Sequence, residues 1–337
     1  MLPLSEILSI SNSVDESWRS PVADAVSACW GVPAGTARWL RSSATHVFVV
    51  PGGASAAPSG TGAGPTFLRF TPAASLAGDK LSESGRILSA WADRGLGAVR
   101  PVPLPDGSLT AFIETSVGDF VAMMVAAAPG EEVAVDDLTL GQARSWGEAL
   151  GRLHAEGSEG TKPEPLRESF PASSGRLGRA IRTIDEELAS VDPRRRSRGL
   201  CHGDFELDNL RFKGTHVTFF DTDEAHYGWF ATDVALAVRD LTGSTLGSQT
   251  RPDLLEAFLA GYRRHQPFTE EEEENLPLHS LAASVRILRQ LDGVIDTDND
   301  PDHPEWFTEL RGSLIMHQDW HRQRLLNSSS SVVGPGA

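Results

Sequence analysis

The polar stretch His202-Gly203-Asp204-Phe205-Glu206-Leu207-Asp208-Asn209 lies between two short apolar runs, one ending at Leu200-Cys201 and the other spanning Val217 to Phe220, and the second run closes on Asp221. Apolar runs this short read as strands, and a loop followed by a tight hairpin must join them, because Asp and Asn favour loops. The order of the polar residues then carries chemistry. Asp204, Asn209 and Asp221 supply a charged, a neutral and a second charged oxygen donor in a fixed sequence. Hard oxygen ligands of this kind suit magnesium. Phosphoryl transfer asks the protein mainly to orient an attacking hydroxyl and to neutralise charge on the transferred group, and this set can do both. On this reading Asp204 accepts the proton of the attacking hydroxyl, Asn209 and Asp221 hold magnesium, and His202 ties down the loop through its ring nitrogens. A lone Asp-x-x-x-x-Asn is common in turns; the full set between two strand-like runs is the informative pattern.

With Gly203 between His202 and Asp204, the loop resembles that of the aminoglycoside phosphotransferase and choline kinase group of small-molecule kinases, whose catalytic loop reads His-Gly-Asp followed by Asn where protein kinases have His-Arg-Asp. The resemblance runs from about Thr36 to Leu326 and is strongest between Leu200 and Leu241. It implies an α+β, two-lobe, protein-kinase-like fold, with a small N-terminal antiparallel-sheet lobe over residues 1–128 and a larger, mainly helical lobe over 129–326. It also implies ATP or GTP as co-substrate, a small-molecule hydroxyl as acceptor, and Asp233 as a structural acid buttressing the loop. Asp223 shares a strand face with Asp221, and reads equally as an additional metal ligand or as a solvated turn carboxylate.

The N-terminal third reads as a small sheet with helices. Pro21 to Cys29 has helical spacing, and Trp39 to Val50 suggests two strands around a polar turn. In the kinase reading Ser43, Thr45 and nearby backbone N–H groups of that turn contact the nucleotide phosphates. Pro51 to Pro65 is rich in Gly, Ala, Ser and Pro and reads as a hairpin loop. The strand Thr66 to Phe70 carries Arg69, which by the resemblance grips the α- and β-phosphates, a role a Lys fills in protein kinases. Glu83, in a helix expected over Ala74 to Asp93, is the candidate partner of Arg69. Strands are expected at Leu109 to Thr115 and Phe120 to Ala127. The small residues Ala126 to Gly130, with Ala126 and Ala128 foremost, look like the hinge whose backbone reads an adenine edge.

Beyond the hinge the pattern turns helical, at Gln142 to Ala155, Leu177 to Val191, Leu254 to Arg264, Leu276 to Ile295 and Glu305 to Leu326. His154 reads as a satisfied helix histidine, and Arg194-Arg195-Arg196 as a solvated face. Asp292, Asp296 and Asp298, with Asp300, Asp302 and Glu305, form an acidic stretch placed to receive an amine-rich acceptor. Residues 327–337 read as a disordered tail.

A net charge of −16 argues against a nucleic-acid surface. No apolar run approaches the length of a membrane span, so neither a membrane nor nucleic acid is an expected partner. Two cysteines without metal spacing point to a reducing cytoplasm. The expectation is therefore a kinase acting on an antibiotic hydroxyl, such as that of an aminoglycoside, with resistance as its consequence. The alternatives are a metabolite kinase for homoserine, choline or a sugar, an inactive kinase-like binding protein, and a metal hydrolase using His202, Asp204, Asp221 and Asp223.

Overall fold

The computed structural model describes residues 1–53, 64–157, 175–190 and 198–332. The expected loop over Pro51 to Pro65 falls largely outside these residues, as do most of the segment from Gly157 to Ser174 and the run Arg194 to Arg196. Among the described residues no helix is long and apolar enough to cross a membrane. The chain divides into two units, each with its own contacts. The first comprises Met1–Pro129, Thr218–Glu224 and Gly293–His303, and the second Gly130–Val217, Ala225–Asp292 and Pro304–Ala337. The first break falls beside the expected boundary at residue 128. What sequence reading did not anticipate is that the segments around Asp221 and Asp298 belong to the first unit.

The first unit opens with helices α1 (Leu4–Ser11) and α2 (Pro21–Ser27). Ser20 caps α2, its hydroxyl accepting from the N–H groups of Val22 and Ala23. The sheet follows, built from β1 (Arg38–Ser42), β2 (His46–Val50), β3 (Thr66–Pro72), β4 (Thr110–Thr115) and β5 (Gly118–Ala126). Its order is β1-β2-β3-β5-β4 and every pairing is antiparallel. One face buries Phe48, Leu68, Phe70, Phe120, Ala122 and Met124 against Val22, Val26 and Trp30 of the α2 region. On the other face lies α3 (Leu76–Asp93), whose Leu81 and Leu88 pack on Met123 and Val125. Central β3 alternates its side chains between these layers, and that alternation puts Arg69 on the α3 face, opposite the face that buries Leu68 and Phe70.

The second unit is mainly helical. It contains α4 (Leu140–Gly157), α5 (Gly175–Ser190), and strands β6 (Arg198–Cys201) and β7 (Leu210–Lys213). Strand β8 (His216–Phe219) pairs with β7 in the expected hairpin, and β9 (His226–Trp229) pairs with β6. Helices α6 (Phe230–Ala237), α7 (Pro252–Tyr262), α8 (Glu270–Glu274), α9 (Leu276–Gln290) and α10 (Glu305–Val332) complete it. Helix α10 runs through Asn327 and the following serines to Val332, so the helix does not stop at Leu326 as the composition suggested.

Helices α4 and α7 meet at glycines. A Cβ on Gly147 would sit 1.9 Å from the Phe258 carbonyl oxygen, and one on Gly261 2.0 Å from that of Arg144. Trp146 and Phe258 meet edge to face at 4.9 Å beside this contact. The Trp146 indole also donates to the Phe205 carbonyl at 3.0 Å, which ties α4 to the loop carrying Asp204.

Candidate active site

The loop from His202 to Asn209 leaves the sheet at the end of β6 and finishes in the single turn Leu207–Asn209. Gly203 takes φ = 83°, a conformation that explains its place in the motif. Asp233, in the first turn of α6, is 1% exposed and accepts from the N–H groups of His202 at 2.9 Å and Gly203 at 2.8 Å. Its Oδ2 also meets His154 Nε2 at 2.9 Å, and His154 Nδ1 lies 2.7 Å from the Tyr262 hydroxyl. Burial works to raise the Asp233 carboxyl. The His154 hydrogen bond and the imidazoles of His154, His202 and His226 outweigh it and hold the group well below the usual carboxylate range. His154 is thus satisfied, and its partner is the acid that clamps the loop. Buried Cys201 lies close to His154 and Asp233. The carboxylate there is already engaged by two backbone N–H groups and an imidazole, so the trio is a structural knot.

Within this frame Asp204 keeps its side chain 32% exposed. Asn209 Nδ2 donates to the Asp204 carbonyl and to its Oδ2, both at 2.9 Å, and the Asp204 N–H donates to His202 Nδ1 at 3.3 Å. Arg239 Nη1 reaches the other carboxylate oxygen, Oδ1, at 3.1 Å, and Nη2 of the same guanidinium bonds to Glu206. Burial and the neighbouring Asp204 raise the Glu206 carboxyl to about 8, against the opposing pull of Arg239. Arg239 was not singled out from sequence. The signal was present: it is a lone cation at the end of the apolar run Val234 to Val238, where a charge requires a partner.

The remaining motif residues lie in the first unit. Asp221 takes φ = 62°, an uncommon backbone state for a residue other than glycine and a frequent mark of functional positions. Arg69 is 6% exposed; its Nη2 lies 3.1 Å from Asp221 Oδ1 and 2.5 Å from Asp223 Oδ2. Asp223 is therefore no solvated turn carboxylate. It is 7% exposed, and burial with the Asp221 charge raises it to about 6 although Arg69 opposes them. Burial alone would lower the Arg69 guanidinium, but the two carboxylates overcome this and raise it.

The expected Arg69–Glu83 pair does not form. Glu83 is on the solvent side of α3 and pairs with Arg86, a typical i,i+3 surface contact. Helix α3 instead reaches the Asp221 segment through Lys80, 3.2 Å from Glu224, and through Ser84, 2.7 Å from the Thr222 hydroxyl. Thr45 also differs from expectation: it is 3% exposed, and its hydroxyl accepts from Arg69 Nε at 3.4 Å. Ser43 is held by its backbone, the carbonyl accepting from the Leu2 N–H at 2.7 Å and the N–H donating to the Thr45 carbonyl at 3.0 Å. Ala126 ends β5 with its N–H on the Arg100 carbonyl at 2.9 Å, and Ala128 packs against the Leu81 and Leu88 cluster.

The acidic stretch is divided between the units. Asp292 belongs to the second unit, whereas Asp296 and Asp298 belong to the first. Asp296 accepts from the Ser5 N–H at 2.9 Å and from its hydroxyl, so it anchors the start of α1. Asp298 is exposed, and Asp300 caps a local turn through the Asp302 N–H at 2.9 Å.

The donor set fits a divalent cation. Asp221 and Asp223 present hard oxygens, and Asp223 Oδ1 is a buried acceptor without a hydrogen-bond partner.

Comparison with known proteins accords with these arrangements. An uncharacterized protein of Deinococcus radiodurans is 28% identical over 215 residues, covering 58% of this chain and 61% of that protein. The chain thus spans about three-fifths of the length of this relative. Homoserine kinase of Caulobacter sp. (strain K31) is 27% identical over 272 residues, 74% of this chain and 79% of that one. The solved structure of amicoumacin kinase hAmiN in complex with AMP-PNP, Ca2+ and Ami aligns with a TM-score of 0.73 over 95% of this chain and 96% of its own, at 14% identity, a likeness of fold alone. The family model described as APH, the phosphotransferase enzyme family, matches residues 49–268, a stretch that includes Arg69, Asp204, Asn209, Asp221, Asp233 and Arg239. The chain belongs to the phosphotransferase enzyme family, with its α+β kinase-like fold.

Proposed function

We propose that the protein is a small-molecule kinase that moves the γ-phosphoryl group of ATP or GTP to an alcohol hydroxyl. The carrying observation is the restraint on Asp204. One of its carboxylate oxygens is held by Asn209 and the other by Arg239, on a loop pinned by Asp233, and yet the side chain stays open to solvent. A general base needs this combination of fixed orientation and access.

Asp204 takes the proton of the acceptor hydroxyl as that oxygen bonds to the γ-phosphorus. The bond from phosphorus to the β–γ bridging oxygen breaks, and the nucleoside diphosphate leaves with that electron pair. Arg69 grips the phosphates, and the Ser43 to Thr45 turn and Ala126 to Ala128 contact the nucleotide through groups other than the Ser43, Ala126 and Ala127 N–H groups, which are already paired. Asp221 and Asn209, with Asp223 beside Asp221, would hold magnesium, which would supply charge neutralisation during the transfer. Glu206 and Arg239 position the base. Free Cys29 and Cys201 fit a reducing, cytoplasmic setting.

For the acceptor, a metabolite alcohol of the homoserine kind is favoured over an antibiotic hydroxyl, because the homoserine kinase relative matches over 74% of the chain. The test is a screen of hydroxylated compounds for stimulated ADP or GDP release in magnesium. Acceptor-stimulated release, abolished by chelator and strongly weakened in Asp221→Ala, is the expected result. Nucleotide binding without release for any acceptor would point to the inactive binding protein, and turnover that needs zinc or iron to the metal hydrolase.

A further inference from the structure

Arg239 holds one carboxylate oxygen of Asp204, yet it lies beyond Ala237, the last residue of α6. Its N–H makes only a long bond, 3.4 Å, to the Leu236 carbonyl, so the helix no longer fixes its backbone. The chain fixes it by turning back. The N–H of Ser244 donates to the Arg239 carbonyl at 2.9 Å. The Thr242 hydroxyl reaches that carbonyl at 3.3 Å and the Ser244 hydroxyl oxygen at 2.9 Å. Residues 239–244 thus form a closed turn with Arg239 at one end and Ser244, 7% exposed, at the other.

The Ser244 end is held by Arg324 of α10. Arg324 Nη2 donates to the Ser244 hydroxyl at 3.0 Å and to the Ser280 hydroxyl at 2.8 Å. Its Nη1 donates to the Ser284 hydroxyl at 2.6 Å and to the Ser280 carbonyl at 3.1 Å. One planar fork therefore joins α10 to α9 and to the turn behind Arg239, and all of these residues share the second unit with Asp204. Burial works against the Arg324 charge, and no carboxylate pairs with it among the described residues. A guanidinium that gains no ion pair is used here for its shape: donors in a rigid fork span three hydroxyls that a single ammonium cannot reach together. The bonds to Ser280 and Ser284 dock α10 on α9. The bond to Ser244 goes instead to the turn.

We propose that Arg324 and Ser244 are positioning residues for the reaction, through which the C-terminal helix sets the Arg239 guanidinium and so the orientation of Asp204. The inference rests on the phosphotransferase reading above. The path is continuous: Asp204 Oδ1 to Arg239 Nη1 at 3.1 Å, the Arg239 carbonyl to the Ser244 N–H at 2.9 Å, and the Ser244 hydroxyl to Arg324 Nη2 at 3.0 Å. Misplacing a reacting group by about 1 Å costs about a hundredfold in rate, so slack in this path belongs in kcat.

The experiment is a double-mutant cycle read by nucleoside diphosphate release in magnesium with the best acceptor of the screen. Ser244→Ala removes the link to the turn and leaves the Arg324 bonds to α9. It should lower kcat by about ten- to a hundredfold, with the KM of nucleotide unchanged and the thermal midpoint close to that of the wild type. Ser244→Thr, which keeps the hydroxyl, should recover most of the rate. Arg324→Lys, which keeps the charge and loses the fork, should lower kcat to a similar extent and lower the midpoint as well, because the α9 bonds go with it. In an Arg239→Met background Ser244→Ala should cost nothing further, since the group it positions is gone. Amide exchange over residues 239–244 gives a readout independent of turnover and should be faster in Ser244→Ala. A wild-type kcat in Ser244→Ala, or the same fold-loss with and without Arg239, would overturn the assignment and leave the kinase reading intact. A wild type that releases no nucleoside diphosphate with any acceptor would remove the kinase reading, and this inference with it.

Discussion

Arg69 joins the buried Asp223 carboxylate to the partly exposed Asp221 carboxylate, and its loss should be felt first as instability. Arg69→Met removes the guanidinium that Asp221 and Asp223 share, and breaking such a largely buried pair costs about 3–5 kcal/mol. Denaturant unfolding should show that loss, and Asp221→Asn in the same background should return part of it by removing the repulsion. Glu206 gives a pH signature. Its carboxyl is raised to about 8 in the folded chain from its ordinary value of 4.5, so the folded state holds a proton that the unfolded chain releases. That contribution is complete below about 4.5 and is lost as pH rises through about 8. Glu206→Gln should flatten the decline in unfolding midpoint across this interval, and an unchanged slope would show that Glu206 is ionised in the fold. The reading of single residues from sequence drew on local information. Asp221 and Asp223 are two positions apart in the chain, though the shared strand face expected for them gives way to a left-handed residue at Asp221 and a turn at Asp223, and Arg69 is the one cation in an apolar strand. It failed for Glu83, because a helix carboxylate has a solvent side and Arg86 one turn away. It also passed over Arg239, whose partners Asp204 and Glu206 come some thirty residues earlier.

At the scale of elements, the α4–α7 contact supports the loop that carries the base. Both helices are evident from their apolar periodicity, but their close approach is not, since it depends on which glycines face each other. Gly147→Ala would gain about 1 kcal/mol of helix propensity. The new methyl would meet the Phe258 carbonyl at 1.9 Å, an overlap with backbone that only helix displacement relieves. Overpacking of this kind costs about 1–3 kcal/mol or more, so the substitution should destabilise despite the propensity gain. Thermal unfolding should show a lower midpoint, and kcat should fall with it, because displacement of α4 moves the Trp146 bond to the Phe205 carbonyl. A midpoint at or above the wild-type value would mean that the helices separate freely. The link from His154 to Asp233 belongs to the same scale. The helical position of His154 was plain in the sequence, but its role required knowing that α6 returns Asp233 beside α4.

For the whole molecule, chain order carries the periodicities of the elements but not the membership of distant segments. The sheet and the helical region follow from periodicities of two and near four, and the break beside Pro129 follows from small linker residues. That Thr218–Glu224 and Gly293–His303 join the first unit depends on long-range contacts such as the Val99 N–H to the Phe219 carbonyl at 3.0 Å and the Leu4 N–H to the Val294 carbonyl at 2.8 Å. Short motifs contain no record of such contacts. Arg69, Asp221 and Asp223 arise in one unit and Asp204, Asn209 and Arg239 in the other, and the central proposal is phosphoryl transfer with Asp204 as base. The most direct test follows phosphorus itself. With ATP, magnesium and the best acceptor of the screen, 31P NMR should show a phosphomonoester resonance growing as ADP forms. Asp204→Asn should slow it by about 10²–10⁴-fold with nucleotide affinity unchanged. A phosphomonoester that forms at the wild-type rate in Asp204→Asn, or none from the wild type with any acceptor, would contradict the account.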